Sequence, residues 1–263
     1  MVLRFFLLAG TFLLVFCADI ERNNPDDPGS GKGSGKVGNL CVNRAEYYDP
    51  DLYECKPNIN ANGIYLKNKP RDLAGKEYEA VLIGTQTWMA ENLNYNASGS
   101  KCGNGSSLSD ANTSTCDTYG RLYNWSTAMN GATSSNTNPS KVRGVCPSGW
   151  HLPSNEEWTT LTNFVGTNAA GTKLKAINGW NGGGNGTNDY GFSALPGGNG
   201  NSYGSFVNAG NYGYWWSATE YNASRAYYWR MDYDDAYVYG SYGGVISNIN
   251  DKSSLYSVRC VRN

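Results

Sequence analysis

From residue 77 onward apolar and polar positions come in short runs. The stretch Glu77–Gly84, EYEAVLIG, alternates and is rich in branched residues, which predicts a strand; Thr87–Leu93, TWMAENL, continues extended or as a short turn. Over Cys116–Asn130, apolar or aromatic residues at 119, 122, 123 and 125–129 predict a helix. A second helix opens at Pro153-Ser154. Ser154 is placed to cap it, Glu157 stands three residues on as in a capping box, and Trp158, Leu161, Phe164 and Val165 form its apolar stripe. From Gly166 the chain turns glycine-rich and predicts a long irregular loop anchored by Trp180, Tyr190, Phe192 and Leu195. Tyr212–Glu220, Ala226–Tyr233, Tyr237–Tyr242 and Leu255–Val261 then read as strands separated by polar turns. Two helices, many short antiparallel strands and long Gly-rich loops define an α+β domain over residues 63–263.

The preceding segments have another character. Residues 1–17 read as a signal peptide: Arg4, then about a dozen apolar residues, too short to span a bilayer comfortably. Cys17 closes this stretch as a candidate lipidation site. Phe16, however, stands where the lipoprotein pattern has a small residue, so lipoprotein anchoring, ordinary secretion and an uncleaved anchor all stay open. Residues 18–39, ADIERNNPDDPGSGKGSGKVGN, have too little apolar content to form a core and read as a flexible linker. Residues 40–57 form a small cysteine module in which two Cys flank a YDP turn. The expected location is the cell envelope, as an outer-membrane lipoprotein or a secreted protein, with membrane contact only through leader or lipid.

Cysteine usage supports export. Beyond Cys17 there are Cys41, Cys55, Cys102, Cys116, Cys146 and Cys260, an even set that reads as three disulfides with 15 possible pairings. Proximity in sequence suggests Cys41–Cys55, Cys102–Cys116 and, by remainder, Cys146–Cys260. No CxxC-like spacing points to a metal instead. Charge then narrows the partners: Lys plus Arg (21) nearly balances Asp plus Glu (22), so no net field draws nucleic acid.

Several motifs, in order, carry a resemblance: IGTQTWMAENLNY, TYGRLYNWSTAM, GVCPSGWHLPSNEEWTTL, GTKLKA, NDYGFSALPGG, YGYWWSATE and YSVRCVRN. Together they are similar to the Fibrobacter succinogenes major paralogous domain family over residues 75–263, and CVNRAEYYDPDLYEC resembles the YDP-cysteine modules attached to such domains. WHLPSNEEW with the late SVRCV is more distantly similar to formylglycine-generating-enzyme-like domains. That likeness implies a C-type-lectin-like fold, in which the first and last strands meet and long loops carry the binding surface; a Cys146–Cys260 bond fits such closure. The redox cysteine pair of the oxidase branch has no counterpart here, so that activity is not carried over.

The candidate chemistry is binding rather than catalysis. His151, the single histidine, sits at a helix entrance, and Glu156 and Glu157 lie in a first helical turn where acids favour the dipole, so no catalytic constellation emerges. Residues 221–256 are dominated by Tyr, Ser, Gly and Asn, a paratope-like mixture. Alternation in AYYWRMDY sends Tyr227, Trp229 and Met231 toward the core and Tyr228, Arg230 and Asp232 outward. With Tyr237, Tyr239 and Tyr242 these form the candidate ligand site, expected to take a polysaccharide or a cell-surface protein. Trp88, Trp125, Trp158, Trp215 and Trp216 are expected in the core. No cofactor is implied. Calcium is a candidate ion only through loop acids, chiefly Asp189, Asp234 and Asp235, which lack EF-hand spacing. A structural envelope protein working through protein contacts is the alternative, and an exported hydrolase ranks below it.

Overall fold

The structure, a computed structural model, describes residues 51–56, 63–236, 238–239 and 248–263. Two sheets share the core. The first has strands β1 (Tyr53–Lys56), β2 (Gly63–Leu66), β3 (Ala80–Ile83) and β4 (Gln86–Met89), then β14 (Val261–Arg262) and β7 (Trp150–His151), in that order. The C-terminal strand therefore sits between β4 and β7, antiparallel to both. Strand β1, from the segment assigned to the cysteine module, pairs with β2 as an edge of this same sheet. A small hairpin, β5 (Cys102–Asn104) and β6 (Ser107–Ser109), stands apart.

The second sheet runs β12 (Val238–Tyr239), β11 (Arg225–Asp232), β10 (Tyr212–Glu220), β8 (Gly197–Gly200), β9 (Phe206–Ala209), with β13 (Ile249–Asp251) also on β11. Its pairs are antiparallel except β8–β10.

In the first sheet β2, β3 and β4 are buried on two faces, which explains the continuous apolar run AVLI in β3 where a half-buried strand would alternate. Ala80, Leu82 and Met89 face one core cluster with Trp216 and Tyr256, while Val81, Ile83 and Trp88 face another with Trp215, Trp229 and Met231. Helix α3 (Asn155–Val165) fills the second cluster. Its Trp158 lies 4.7 Å from Trp88 of the first sheet and 5.8 Å from Trp229 of the second, the latter nearly parallel. One indole thus joins the two sheets, and each such buried side chain contributes roughly 1.5–3 kcal/mol. All five expected core tryptophans are buried.

The capping box is formed as expected. Ser154 Oγ accepts from Glu157 N, and Glu157 Oε2 accepts from Ser154 N. Of the expected stripe, Trp158, Leu161 and Val165 are buried and Phe164 is half-buried against Tyr190.

Three expectations need correction. The helix expected over 116–130 is two short helices, α1 (Ser114–Tyr119) and α2 (Trp125–Met129), so with α3 and α4 (Ala170–Leu174) the described residues hold four α-helices rather than two. The break comes at Gly120, whose φ of 77° favours glycine and whose added Cβ would lie 2.8 Å from Leu93 O. There the chain leaves the helix so that Leu122 and Tyr123 can pair with Lys101 and Tyr256. The Gly-rich stretch after 166 is not wholly loop, since it holds α4, β8 and β9. Lastly, of the expected 255–261 strand only Val261 is laddered, in β14 (Val261–Arg262). Residues 255–257 make isolated bridges to three different segments, because this stretch threads between elements instead of pairing with one.

Cys102–Cys116 and Cys146–Cys260 are disulfides, as expected from the sequence. Cys17 and Cys41 lie outside the described residues.

Candidate functional site

The alternation in β11 holds on its core side: Trp229 and Met231 enter the second cluster, while Tyr227 is half-buried. Tyr228, Arg230 and Asp232 share the opposite face. The antiparallel register sets them beside Trp216, Tyr214 and Tyr212 of β10, respectively. That face is less open than the outward expectation. Tyr212, Tyr214, Tyr228 and Arg230 are half-buried, and Asp232 is buried at 7 % exposure. The reason is a second layer beneath it. Tyr256, delivered by the threading C-terminal segment, stacks on Tyr214 with centroids 5.0 Å apart and planes 11° apart, and lies 4.9 Å from Tyr228.

The result is a fixed aromatic platform. Tyr212 and Tyr214 lie 6.0 Å apart and Tyr214 and Tyr228 5.9 Å apart, spacings typical of interacting rings. Arg230 packs its guanidinium 5.5 Å from the Tyr212 ring centroid. It is tied to Asp232 on its own strand, Nη2 donating to Oδ2 at 2.9 Å with Nε 2.7 Å from Oδ1. Burial raises the Asp232 carboxyl, and Arg230 opposes that shift. Burial also pushes the Tyr214 phenol up to about 12 and the Tyr228 phenol upward. The platform therefore offers neutral phenols and one internally neutralised charge pair.

Register sets Tyr239 of β12 opposite Arg230, next to the platform. Tyr237 and Tyr242 lie outside the described residues. Sequence reasoning missed Tyr212, Tyr214 and Tyr256 as members. The period-2 pattern of YGYWWSATE carried a signal for the first two, whereas Tyr256 comes from a segment whose neighbours no local pattern reveals.

The calcium candidates come from two stretches of the chain. Asp189 is half-buried in the loop after α4, its N–H donating to Lys173 O at 2.9 Å. Asp234 and Asp235 follow β11 beside the buried Lys175, whose ammonium donates to Asp232 O at 2.9 Å and Asp235 O at 2.8 Å. Burial lowers the Lys175 pKa, and the three nearby aspartates oppose that shift. Among the described residues no group of three or more His, Cys, Asp or Glu is arranged to hold a metal ion.

His151 and Glu157 are buried together, Nε2 lying 2.6 Å from Oε1, while Nδ1 lies 2.5 Å from Asn263 Oδ1. Glu157 Oε2 accepts from the N–H groups of Ser140 and Ser154. These contacts fasten β7, α3 and the C-terminus to one another.

These features define a disulfide-stapled α+β domain with a braced aromatic sheet face. The chain belongs to the Fibrobacter succinogenes major domain family, whose model matches residues 81–262. No curated protein and no solved structure matches it.

Proposed function

We propose that this protein is an exported binding or adhesion module, tethered at the cell surface, that takes polysaccharide on the face built from Tyr212, Tyr214, Tyr228 and Arg230. The observation that carries the reading is the stacking of Tyr214 on Tyr256. It holds neighbouring tyrosines rigid and half-exposed, so little side-chain entropy is lost when a flat, hydroxyl-bearing ligand docks. Two disulfides support an oxidising compartment, and the low-complexity stretch 18–39 suits a spacer behind a leader or lipid anchor. The C-terminal strand, laid between β4 and β7 inside the first sheet, fits a C-type-lectin-like arrangement, which belongs to this proposal. The reading calls on no calcium; Asp234 and Asp235 stand beside the Lys175 ammonium.

The test is a pull-down of the oxidised protein on a panel of insoluble polysaccharides, with and without calcium. Retention on one class, unchanged by chelator, is the expected result. Replacing Tyr228, Arg230 and Tyr239 together by Ala should abolish it while the fold persists by circular dichroism. Unchanged retention would sink the site assignment. Retention on no glycan, with recovery of protein partners from intact cells, would replace the reading by a structural envelope role.

A further inference from the structure

A cleft of about 280 Å³ opens on another part of the molecule, where Tyr65, Glu91, Asn92, Tyr119, Gly120 and Ser193 meet. Five separate segments converge there, and its floor is unusually costly to build. Asn92 is buried and uses its whole amide. Oδ1 accepts from Trp215 Nε1 and from Arg259 Nε and Nη2, and Nδ2 donates to Tyr119 O and Ser257 Oγ. Behind it Arg259 is 1 % exposed and makes its hydrogen bonds only to Asn92 and to the carbonyls of Phe192 and Ser193. Burying a cation without a hydrogen-bonded carboxylate is unfavourable unless its donors are engaged, and here three of its four hydrogen bonds go to Asn92 and Ser193 of the cleft lining. Ser193 adds strain, a non-glycine residue at φ 54° held by Asn188, whose side chain both accepts from its N–H and donates to its hydroxyl. Buried polar groups and strain gathered behind one cleft are what a preorganised binding wall requires.

The lining identifies the ligand chemistry. Charge cancels: Glu79 is paired with Lys69 at 2.5 Å, Glu91 faces the field of Arg259, and exposed Asp117 and Lys76 stand at the rim with opposite signs. Glu91 lines the cleft half-buried, and its Oε1 accepts from Glu79 N at 2.9 Å. Tyr119 offers a half-exposed ring and Tyr65 a phenol that burial keeps protonated. Pockets for drug-sized ligands run from about 300 to 1,000 Å³, so this one suits a single ring. We propose that the cleft binds one neutral, hydroxyl-rich ring, the size of a single sugar residue, with its apolar face on Tyr119 and its hydroxyls on Glu91. The inference is independent of the tyrosine platform.

The experiment is nuclear magnetic resonance titration of the ¹⁵N-labelled, oxidised protein with the methyl glycosides of glucose, galactose, mannose and xylose, and with glucosamine and glucuronate. Saturable shifts confined to the amides of Glu91, Asn92, Tyr119, Gly120 and Ser193 with at least one neutral glycoside are expected. Tyr119→Ala and Glu91→Gln should each weaken them roughly tenfold or more, and Tyr203→Ala, at a 92 % exposed position elsewhere, should not. The undisturbed remainder of each spectrum reports that the variant is folded. The Tyr228, Arg230 and Tyr239 triple variant should leave the cleft shifts intact, which separates this site from the platform. Absence of shifts with every neutral glycoside, or shifts only with glucosamine or only with glucuronate, would overturn the proposal.

Discussion

Arg259 makes two of its four hydrogen bonds to one atom, Asn92 Oδ1, from Nε at 3.1 Å and from Nη2 at 2.8 Å. The guanidinium lies 4.4 Å from the Phe192 ring centroid and 5.8 Å from that of Trp215, so aromatic faces provide part of the solvation it has lost. The pair ties the segment after β4 to the C-terminal segment across 167 residues of sequence.

Asn92→Ala should therefore cost about 3–5 kcal/mol, because it strands a buried cation together with the Trp215 indole N–H. The double variant Asn92→Ala, Arg259→Met should lose less than the sum of the two single losses, since the second change removes the stranded charge. Guanidinium denaturation of the four proteins in the cycle, disulfides intact, measures this.

High pH should weaken the fold. Burial raises the phenols of Tyr65, Tyr78, Tyr123, Tyr228 and Tyr256, and that of Tyr214 to about 12, from an ordinary 10.0. In each case the unfolded tyrosine loses its proton first. The stability these phenols contribute is complete below pH 10 and is lost as pH climbs from there toward the folded values. Burial works the other way on Arg121 and on Arg259, which falls to about 9: the folded arginine sheds its proton first, so stability gains as pH passes that value. Burial lowers Lys175 in the same way, and six raised phenols against these three cations set the expected direction, a loss. Tyrosinate absorbance followed with circular dichroism should show late, cooperative ionisation coincident with unfolding; ionisation of all tyrosines near pH 10 with the fold intact would contradict this.

The two disulfides should differ in worth. Cys146–Cys260 spans 114 residues and Cys102–Cys116 spans 14. Loop-closure entropy assigns about 4–5 kcal/mol to the first and about 3 kcal/mol to the second. Replacing Cys146 and Cys260 by Ala should lower the denaturation midpoint further than replacing Cys102 and Cys116.

Glu157→Gln should destabilise by about 2–3 kcal/mol despite its similar shape. Glu157 Oε2 accepts from two backbone N–H groups and Oε1 lies against His151 Nε2, and an amide in its place removes the charge that strengthens these buried contacts. Thermal melting of the variant checks this, with Glu156→Gln, on the exposed side of the same turn, as the comparison expected to stay near the parent.

Much of the framework was legible because it depends on neighbours in sequence. Ser154 and Glu157 announce a helix start through three-residue spacing, and the structure forms that box. The buried tryptophans and the shared face of Tyr228, Arg230 and Asp232 follow from residue type and the two-residue period of a strand. The break at Gly120 was not legible, because apolar residues on both sides satisfied a helical spacing and only the pairing of Tyr123 with Tyr256 pulls the chain out. Burial on both faces likewise hid the boundaries of the shorter strands.

By itself the sequence determined the α+β class, the capped helix and which side of β11 enters the core, all properties that local periodicity and residue size can carry, while cysteine spacing only suggested the two disulfides. Only the tertiary structure decided that Tyr256 would brace Tyr214, that Asp232 would be buried against Arg230, and that Asn92, Tyr119 and Ser193 would enclose a cleft over Arg259. Those meetings join segments up to 167 residues apart. Packing and buried hydrogen-bond satisfaction select such contacts once the sheets assemble, and no short-range pattern encodes them.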